Sequence, residues 1–200
     1  MGRAPRFDAD TLLDAARELL LTRGPAGLTV QGVVTALGAP SGSVYYRFAN
    51  RDLLAAEVWL RAVQRFQAGL APAIGVPDPI EAAVRGALHV LEWSRANRAD
   101  ASVLMLYRPR DLLPDGWPTA VRPRNDAQLA RVSAVLSDLA RRLGDADPLR
   151  LRFAVVDVPY AAVRPALLRG NPPESALDDL VEATVRTTLA HPTTTTQEEP

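Results

Sequence analysis

Leu37-Gly38-Ala39-Pro40-Ser41-Gly42-Ser43-Val44-Tyr45-Tyr46-Arg47-Phe48 has the form of a tight turn followed by a short helix. The residues before it, Thr29 to Leu37, form the helix that leads into the turn. Thr29 is a good N-cap, because its hydroxyl accepts from a free N–H one turn in. Val30, Val33, Val34 and Leu37 recur at helical spacing and turn one face inward. Gly38 ends this helix, since glycine takes the left-handed conformation without a Cβ clash. Pro40 cannot continue it, so Ser41 stands at or beside the next N-cap and the second helix runs through Phe48. Two helices joined in this way have the shape that enters a major groove.

The side chains of the second helix suit that task. Gly42 and Ser43 are small, so the backbone approaches DNA closely. Ser41, Ser43, Tyr45, Tyr46 and Arg47 offer hydroxyls and a guanidinium for phosphates or base edges. Val44 and Phe48, four apart, face the core. Asn50 is the N-cap of a following long helix, with Arg51 in its first turn; free N–H groups and partial positive charge there favour a phosphate. The alternative on this stretch alone is an ordinary helical hairpin, since short pairs with a Gly turn are common.

Residues 8–70 resemble the N-terminal domain of TetR-family transcriptional regulators. The resemblance is carried by Leu28-Thr29-Val30, Leu37-Gly38, Gly42-Ser43-Val44-Tyr45-Tyr46-Arg47-Phe48 and Asn50-Arg51-Asp52-Leu53-Leu54. It implies DNA contacts at Thr29, Gln31, Ser41, Gly42, Ser43, Tyr45, Tyr46, Arg47 and Arg51. Tyr45 and Arg51 match positions that grip phosphates, while Gln31 and the 41–47 side chains are the sequence readers. Gln pairs with adenine and Arg with guanine, each through two hydrogen bonds. Pro40 stands where many relatives have a capping Ser, which leaves the start of the reading helix open by a residue and the roles of Ser41 and Ser43 exchangeable.

Composition sets outer bounds. The chain has 200 residues, 48% of them hydrophobic, and a formal net charge of zero. Residues 1–51 hold six Arg against four acidic residues, so a modest positive bias lies at the DNA-facing end. All 23 basic residues are Arg, a coding bias as readily as a functional choice. The absence of Cys excludes disulfides and thiolate metal sites. No apolar run approaches the roughly 20 residues that span a bilayer, and Met1 to Arg6 lacks the apolar segment of a signal peptide. The expectation is a soluble cytoplasmic protein with no membrane partner.

Residues 1–7 are expected to form a loose arm in which Arg3 and Arg6 are solvated or touch the DNA backbone. Asp8 caps helix 1, and Gly24-Pro25 stops it. Helix 4 spans about Asn50 to Leu70, with Pro72, Gly75 and Pro77 breaking the chain after it. Asp78-Pro79-Ile80-Glu81 is a strong helix start. Further helices are expected over about Pro79–Asn97, Asp100–Arg108, Arg124–Leu143, Pro148–Leu168 and Ser175–Leu189, with Arg108 to Pro123 a loop. Residues 192–200 form a disordered tail. No strand pattern and no internal repeat is present.

The helix near 148–168 is apolar on two sides, with Leu149, Phe153, Val156, Tyr160, Val163 and Leu167 on one and Leu151, Val155, Val158 and Ala162 on another. Pro159 and Pro165 are expected to kink it. A helix apolar on both sides needs cover on both: either both faces are covered within one chain, or, the reading favoured here, one rests on its own core and the other meets a second chain. The resemblance implies the same homodimer, since TetR-like proteins pair through their last two long helices. It also implies a small-molecule effector held among the C-terminal helices, with Trp93, Met105, Tyr107, Trp117, Phe153, Val156 and Tyr160 as candidate ligand-binding residues, weighed against plain core packing. No cofactor and no metal site is expected. His89 and His191 have no third group at triad spacing, and no phosphate-loop or dinucleotide fingerprint appears, so the chain does not read as an enzyme.

The expectation is therefore an all-α protein. An N-terminal helix-turn-helix DNA-binding domain, residues 1–51, is joined by a long helix to a helical ligand-binding and dimerisation domain, residues 52–191. Its function is that of a repressor released from a near-palindromic double-stranded operator by a small molecule. The alternative is a helical small-molecule-binding dimer that reads no specific DNA.

Overall fold

The structure, a computed structural model, describes residues 7–144 and 146–190. The arm with Arg3 and Arg6, the tail at 192–200 and His191 lie outside the described residues. Among the described residues the chain is helical, without strands. Its helices are α1 (Ala9–Gly27), α2 (Val30–Leu37), α3 (Ser41–Arg47), α4 (Arg51–Ile74), α5 (Pro79–Ala96), α6 (Arg98–Leu106), α7 (Pro109–Leu112), α8 (Arg122–Arg142), α9 (Pro148–Arg152), a π turn (Phe153–Asp157), α10 (Val158–Leu168) and α11 (Ala176–Ala190). The all-α expectation with an N-terminal helix-turn-helix holds. By compactness the chain divides into two units: Met1–Phe66 with Asn97–Leu129, and Gln67–Ala96 with Ala130–Pro200.

In the first unit, Asp8 caps α1, its carboxylate accepting from the Thr11 N–H at 2.8 Å. Gly24 interrupts the helix at φ 70° and ψ −178°, and a single turn from Pro25 follows. Thr29 caps α2, its hydroxyl accepting from the Gly32 N–H at 2.9 Å. Gly38 closes α2 in the left-handed conformation, φ 59°. Pro40, not a serine, is the N-cap residue of α3, and it supplies no side-chain cap. Gly32 has a packing role: a Cβ there would lie 2.9 Å from the Thr29 hydroxyl and 3.1 Å from Leu19 Cδ1, so glycine lets α2 approach α1 closely. Leu12, Leu20, Leu28, Val33, Val44 and Leu54 form the centre of a core that Val103, Leu112, Leu113 and Val121 complete. Residues 97–121 thus share a core with the helix-turn-helix. Arg108 to Pro123 is not wholly a loop, since Pro109–Leu112 makes α7, its Arg108 N–H donating to Asp111 Oδ2 at 2.8 Å.

In the second unit, α5 packs against the π turn, α10 and α11. Asp78 caps the start of α5, accepting from the Glu81 N–H at 2.7 Å. Arg95 reaches Asp178 on α11 through two hydrogen bonds of 3.0 and 2.7 Å. Arg186 reaches back to Glu81 at 2.8 Å. His89 is a packing residue: a Cβ on Gly69 would lie 2.5 Å from its ring. α4 continues past Pro72 to Ile74, further than its expected end, and Arg142 donates to the carbonyls of Ile74, Val76 and Pro77.

The expected kink at Pro159 takes the form of the π turn. Pro159 has no N–H to give an i−4 carbonyl, and just ahead of it the Val158 N–H donates to Phe153, five residues back. The wider turn changes the helix register. Leu151, Val155, Pro159, Val163 and Leu167 are all buried at a spacing of four, longer than the 3.6-residue repeat of a regular helix. This places Val163 and Leu167 on the buried face with Leu151 and Val155, whereas the sequence pattern grouped them with Leu149, Phe153, Val156 and Tyr160, which are exposed.

Candidate nucleic-acid interface

α3 separates its residues cleanly. Val44 is fully buried and Phe48 is 5% exposed, whereas Tyr46 is 91% exposed and Tyr45 44%. Ser41, Gly42 and Ser43 are exposed as well. Thr29 and Gln31, at the start of α2, are also exposed, although the Thr29 hydroxyl oxygen already accepts from Gly32. Arg47 is half-buried in the last turn of α3. Asp8 sits below the ordinary aspartate range, first because of the hydrogen bonds from Thr11 and, less strongly, because of the nearby Arg47 charge.

Arg51 differs from the other expected contacts. Its guanidinium donates to the carbonyls of Leu112 and Pro25 and to Asp52. Asn50 caps α4 as expected, accepting from the Leu53 N–H at 2.8 Å.

Sequence reasoning missed a charge network beneath this head. Asp100, on α6, has a side chain 4% exposed and paired to Arg17 on α1 and Arg65 on α4. Arg61 and Arg65 also hold Asp10, and Arg61 holds Asp14. Burial pushes the Asp100 carboxyl up, but the hydrogen bonds and charges of Arg17 and Arg65 together outweigh it and hold it below the usual range. No local signal marks such a residue, because an Asp in the first turn of a helix is ordinary and its partners lie 83 and 35 residues away.

The seven candidate ligand-binding residues fall into separate settings. Met105, Tyr107 and Trp117 belong to the first unit, and Trp93, Phe153, Val156 and Tyr160 to the second. Met105 and Trp93 are buried, while Tyr107 and Trp117 pack against the first unit's core. The Tyr107 hydroxyl donates to the Leu20 carbonyl at 3.1 Å. Phe153, Val156 and Tyr160 are exposed. None of the seven lines the two pockets described in the second unit. One, of about 330 Å³, is bounded by Ala71, Ile74, Gly75, Val135, Leu139, Asp138 and Arg142 among others. The other, of about 240 Å³, lies among Ser133, Leu136, Ser137, Ala140, Pro148, Leu151 and Arg152. Among the described residues no group of three His, Asp or Glu is placed to hold a metal ion, and no helix is long and apolar enough to cross a membrane. Asp157 pairs with Arg152 at 3.7 Å on the surface.

Residues 12–58 match the family model of bacterial regulatory proteins, tetR family. These residues include the helix-turn-helix and the start of α4. Over nearly its whole length the fold is similar to solved structures of that kind. The fatty acid degradation regulator FadR from Bacillus halodurans shares 16% identity at a TM-score of 0.68, over 94% of this chain and 97% of that one. A TetR-like transcriptional regulator from Rhodococcus sp. RHA1 shares 20% identity at a TM-score of 0.65, over 95% of this chain and 100% of that one. The TetR family transcriptional regulator PfmR from Thermus thermophilus shares 20% identity at 0.55, over 90% and 97%. No curated protein matches the chain. Residues 12–58 thus match the tetR-family model, and the fold over nearly the whole chain is similar to that of these regulators.

Proposed function

We propose that this chain, whose residues 12–58 match the tetR-family model, is a dimeric repressor that sits on a near-palindromic operator and leaves it when a small-molecule effector binds. The observation that carries DNA reading is the division of α3, with Val44 and Phe48 buried and Tyr46 91% exposed beside open Ser41, Gly42 and Ser43. In this reading the contacts are Thr29, Gln31, Ser41, Gly42, Ser43, Tyr45, Tyr46 and Arg47, with the reading function held by residues 1–51 and the effector and dimer functions by 52–191.

The homodimer is supported by an apolar face in the second unit. Leu149, Phe153, Val156, Tyr160 and Leu168 are exposed along α9, the π turn and α10, and Leu180 is exposed on α11. Exposed apolar side chains in a row mark an interaction surface, and a second copy covers the same patch on both chains about a two-fold axis. Two reading helices then stand about 35 Å apart, one helical turn of DNA. The effector reading is supported by the larger pocket, whose volume of about 330 Å³ lies at the small end of the ligand-site range. An effector that binds one dimer spacing better than the other releases DNA by population shift. This activity places the protein in the cytoplasm with the chromosome.

The test is a gel shift on the DNA upstream of the protein's own gene. Retardation that survives excess unrelated competitor supports the proposal. Retardation abolished by any competitor alike contradicts it.

A further inference from the structure

Arg51 occupies a position that the family resemblance assigns to phosphate gripping, yet its guanidinium is engaged inside the first unit. Nη1 donates to Asp52 Oδ1 at 2.7 Å and to the carbonyl of Leu112, the last residue of α7. Nη2 donates to the carbonyl of Pro25 at 3.2 Å. That same Pro25 carbonyl accepts from the Leu28 N–H at 3.3 Å, closing the turn that ends one residue before the α2 cap, Thr29. At the other end, Leu112 and Leu113 are buried in the core shared with the helix-turn-helix. A guanidinium presents its donors in a rigid planar fork. Here the fork bridges two backbone carbonyls, 26 and 61 residues away in sequence.

We propose that Arg51 is a positioning residue for DNA reading and not a phosphate contact. Its bridge sets where α2, and through Gly38 the reading helix α3, stands against α4 and residues 109–113. A segment outside the tetR-family match, which ends at residue 58, thereby helps to set operator affinity. This inference rests on the DNA-reading function proposed above.

The test compares wild type, Arg51→Lys and Arg51→Ala in the full chain, well below each variant's melting temperature. The probe is a duplex enriched by the wild-type protein from a random-sequence pool, titrated at several salt concentrations. Amide hydrogen exchange is measured in parallel on the free proteins. A lysine keeps the charge for a phosphate but not the fork that spans two carbonyls. Both variants are expected to lose about tenfold or more in affinity, the scale of one lost base-reading contact, with the wild-type salt slope retained. Both are also expected to exchange faster over residues 25–30 and 109–116. A salt slope shallower by about one in Arg51→Ala, restored by Arg51→Lys, would identify a phosphate contact and overturn the proposal. Wild-type affinity in both variants, or unchanged exchange in both windows, also overturns it. If wild type enriches no sequence, the DNA-reading function falls, and the exchange arm still reports on the bridge by itself.

Discussion

Arg17 on α1 donates to Asp100 on α6, an ion pair between residues 83 apart inside the first unit. Arg65 completes it at 3.0 Å from the other carboxylate oxygen. Breaking a buried pair by removing one partner leaves charge uncompensated. Arg65 is 39% exposed and also has Asp10, so part of the loss is screened. Asp100→Asn is expected to cost about 2–3 kcal/mol in urea unfolding. A change within about 0.5 kcal/mol, the range of an ordinary surface substitution, would show that the network contributes nothing.

The same carboxyl fixes a pH dependence. Its folded-state value is depressed, chiefly because the two arginines overcome the effect of burial. Its contribution is therefore present in full above the ordinary aspartate value, about 3.9, and is lost as pH falls through the lower folded value. Wild type is expected to lose more stability than Asp100→Asn between neutral pH and acid below about pH 4. Parallel acid-unfolding profiles for the two proteins would remove this role.

On α3, stability and DNA binding are expected to separate. Tyr46→Ala removes a side chain 91% exposed, so its stability is expected to stay within about 0.5 kcal/mol of wild type. Its affinity for the selected duplex is expected to fall. Val44→Ala truncates a fully buried side chain and is expected to cost about 1–2 kcal/mol by thermal or urea unfolding. Full DNA binding by Tyr46→Ala would remove the tyrosine from the interface.

Phe153 and Tyr160 are 49% and 38% exposed in the single chain. Phe153→Asp and Tyr160→Arg are expected to keep the helical circular-dichroism spectrum of wild type while converting a dimer to a monomer in light scattering. A dimer that persists in both variants would locate the interface elsewhere.

Gly38 tests the turn. Its φ of 59° is left-handed, and no atom stands within 4 Å of a Cβ built there. The cost of Gly38→Ala is then conformational alone, about 1 kcal/mol. Asn tolerates this region better, so Gly38→Asn is expected to lose less by thermal unfolding. Equal losses would point to packing instead of backbone conformation.

The helix-turn-helix was readable in the sequence because its devices are local. Asp8, Thr29, Gly38 and Asn50 each act within a few residues of their own position, and each does so in the structure. The 3.6-residue period likewise exposed the two-faced helix after Pro148. It failed at Val163 and Leu167, because the π turn ahead of Pro159 inserts a wide turn that the period does not contain. Asp100 and the Leu112 carbonyl were invisible for another reason. Their partners, Arg17, Arg65 and Arg51, are brought near only by the packing of residues 97–121 into the core of the head.

DNA reading is tested most directly by selection of duplexes from a random-sequence pool with the wild-type protein, followed by a titration of the enriched duplex against unselected DNA. A near-palindromic sequence is expected to emerge, bound by two chains about a thousandfold or more tighter than unselected DNA at the same salt. Equal retention of every duplex, with no sequence enriched, would contradict it.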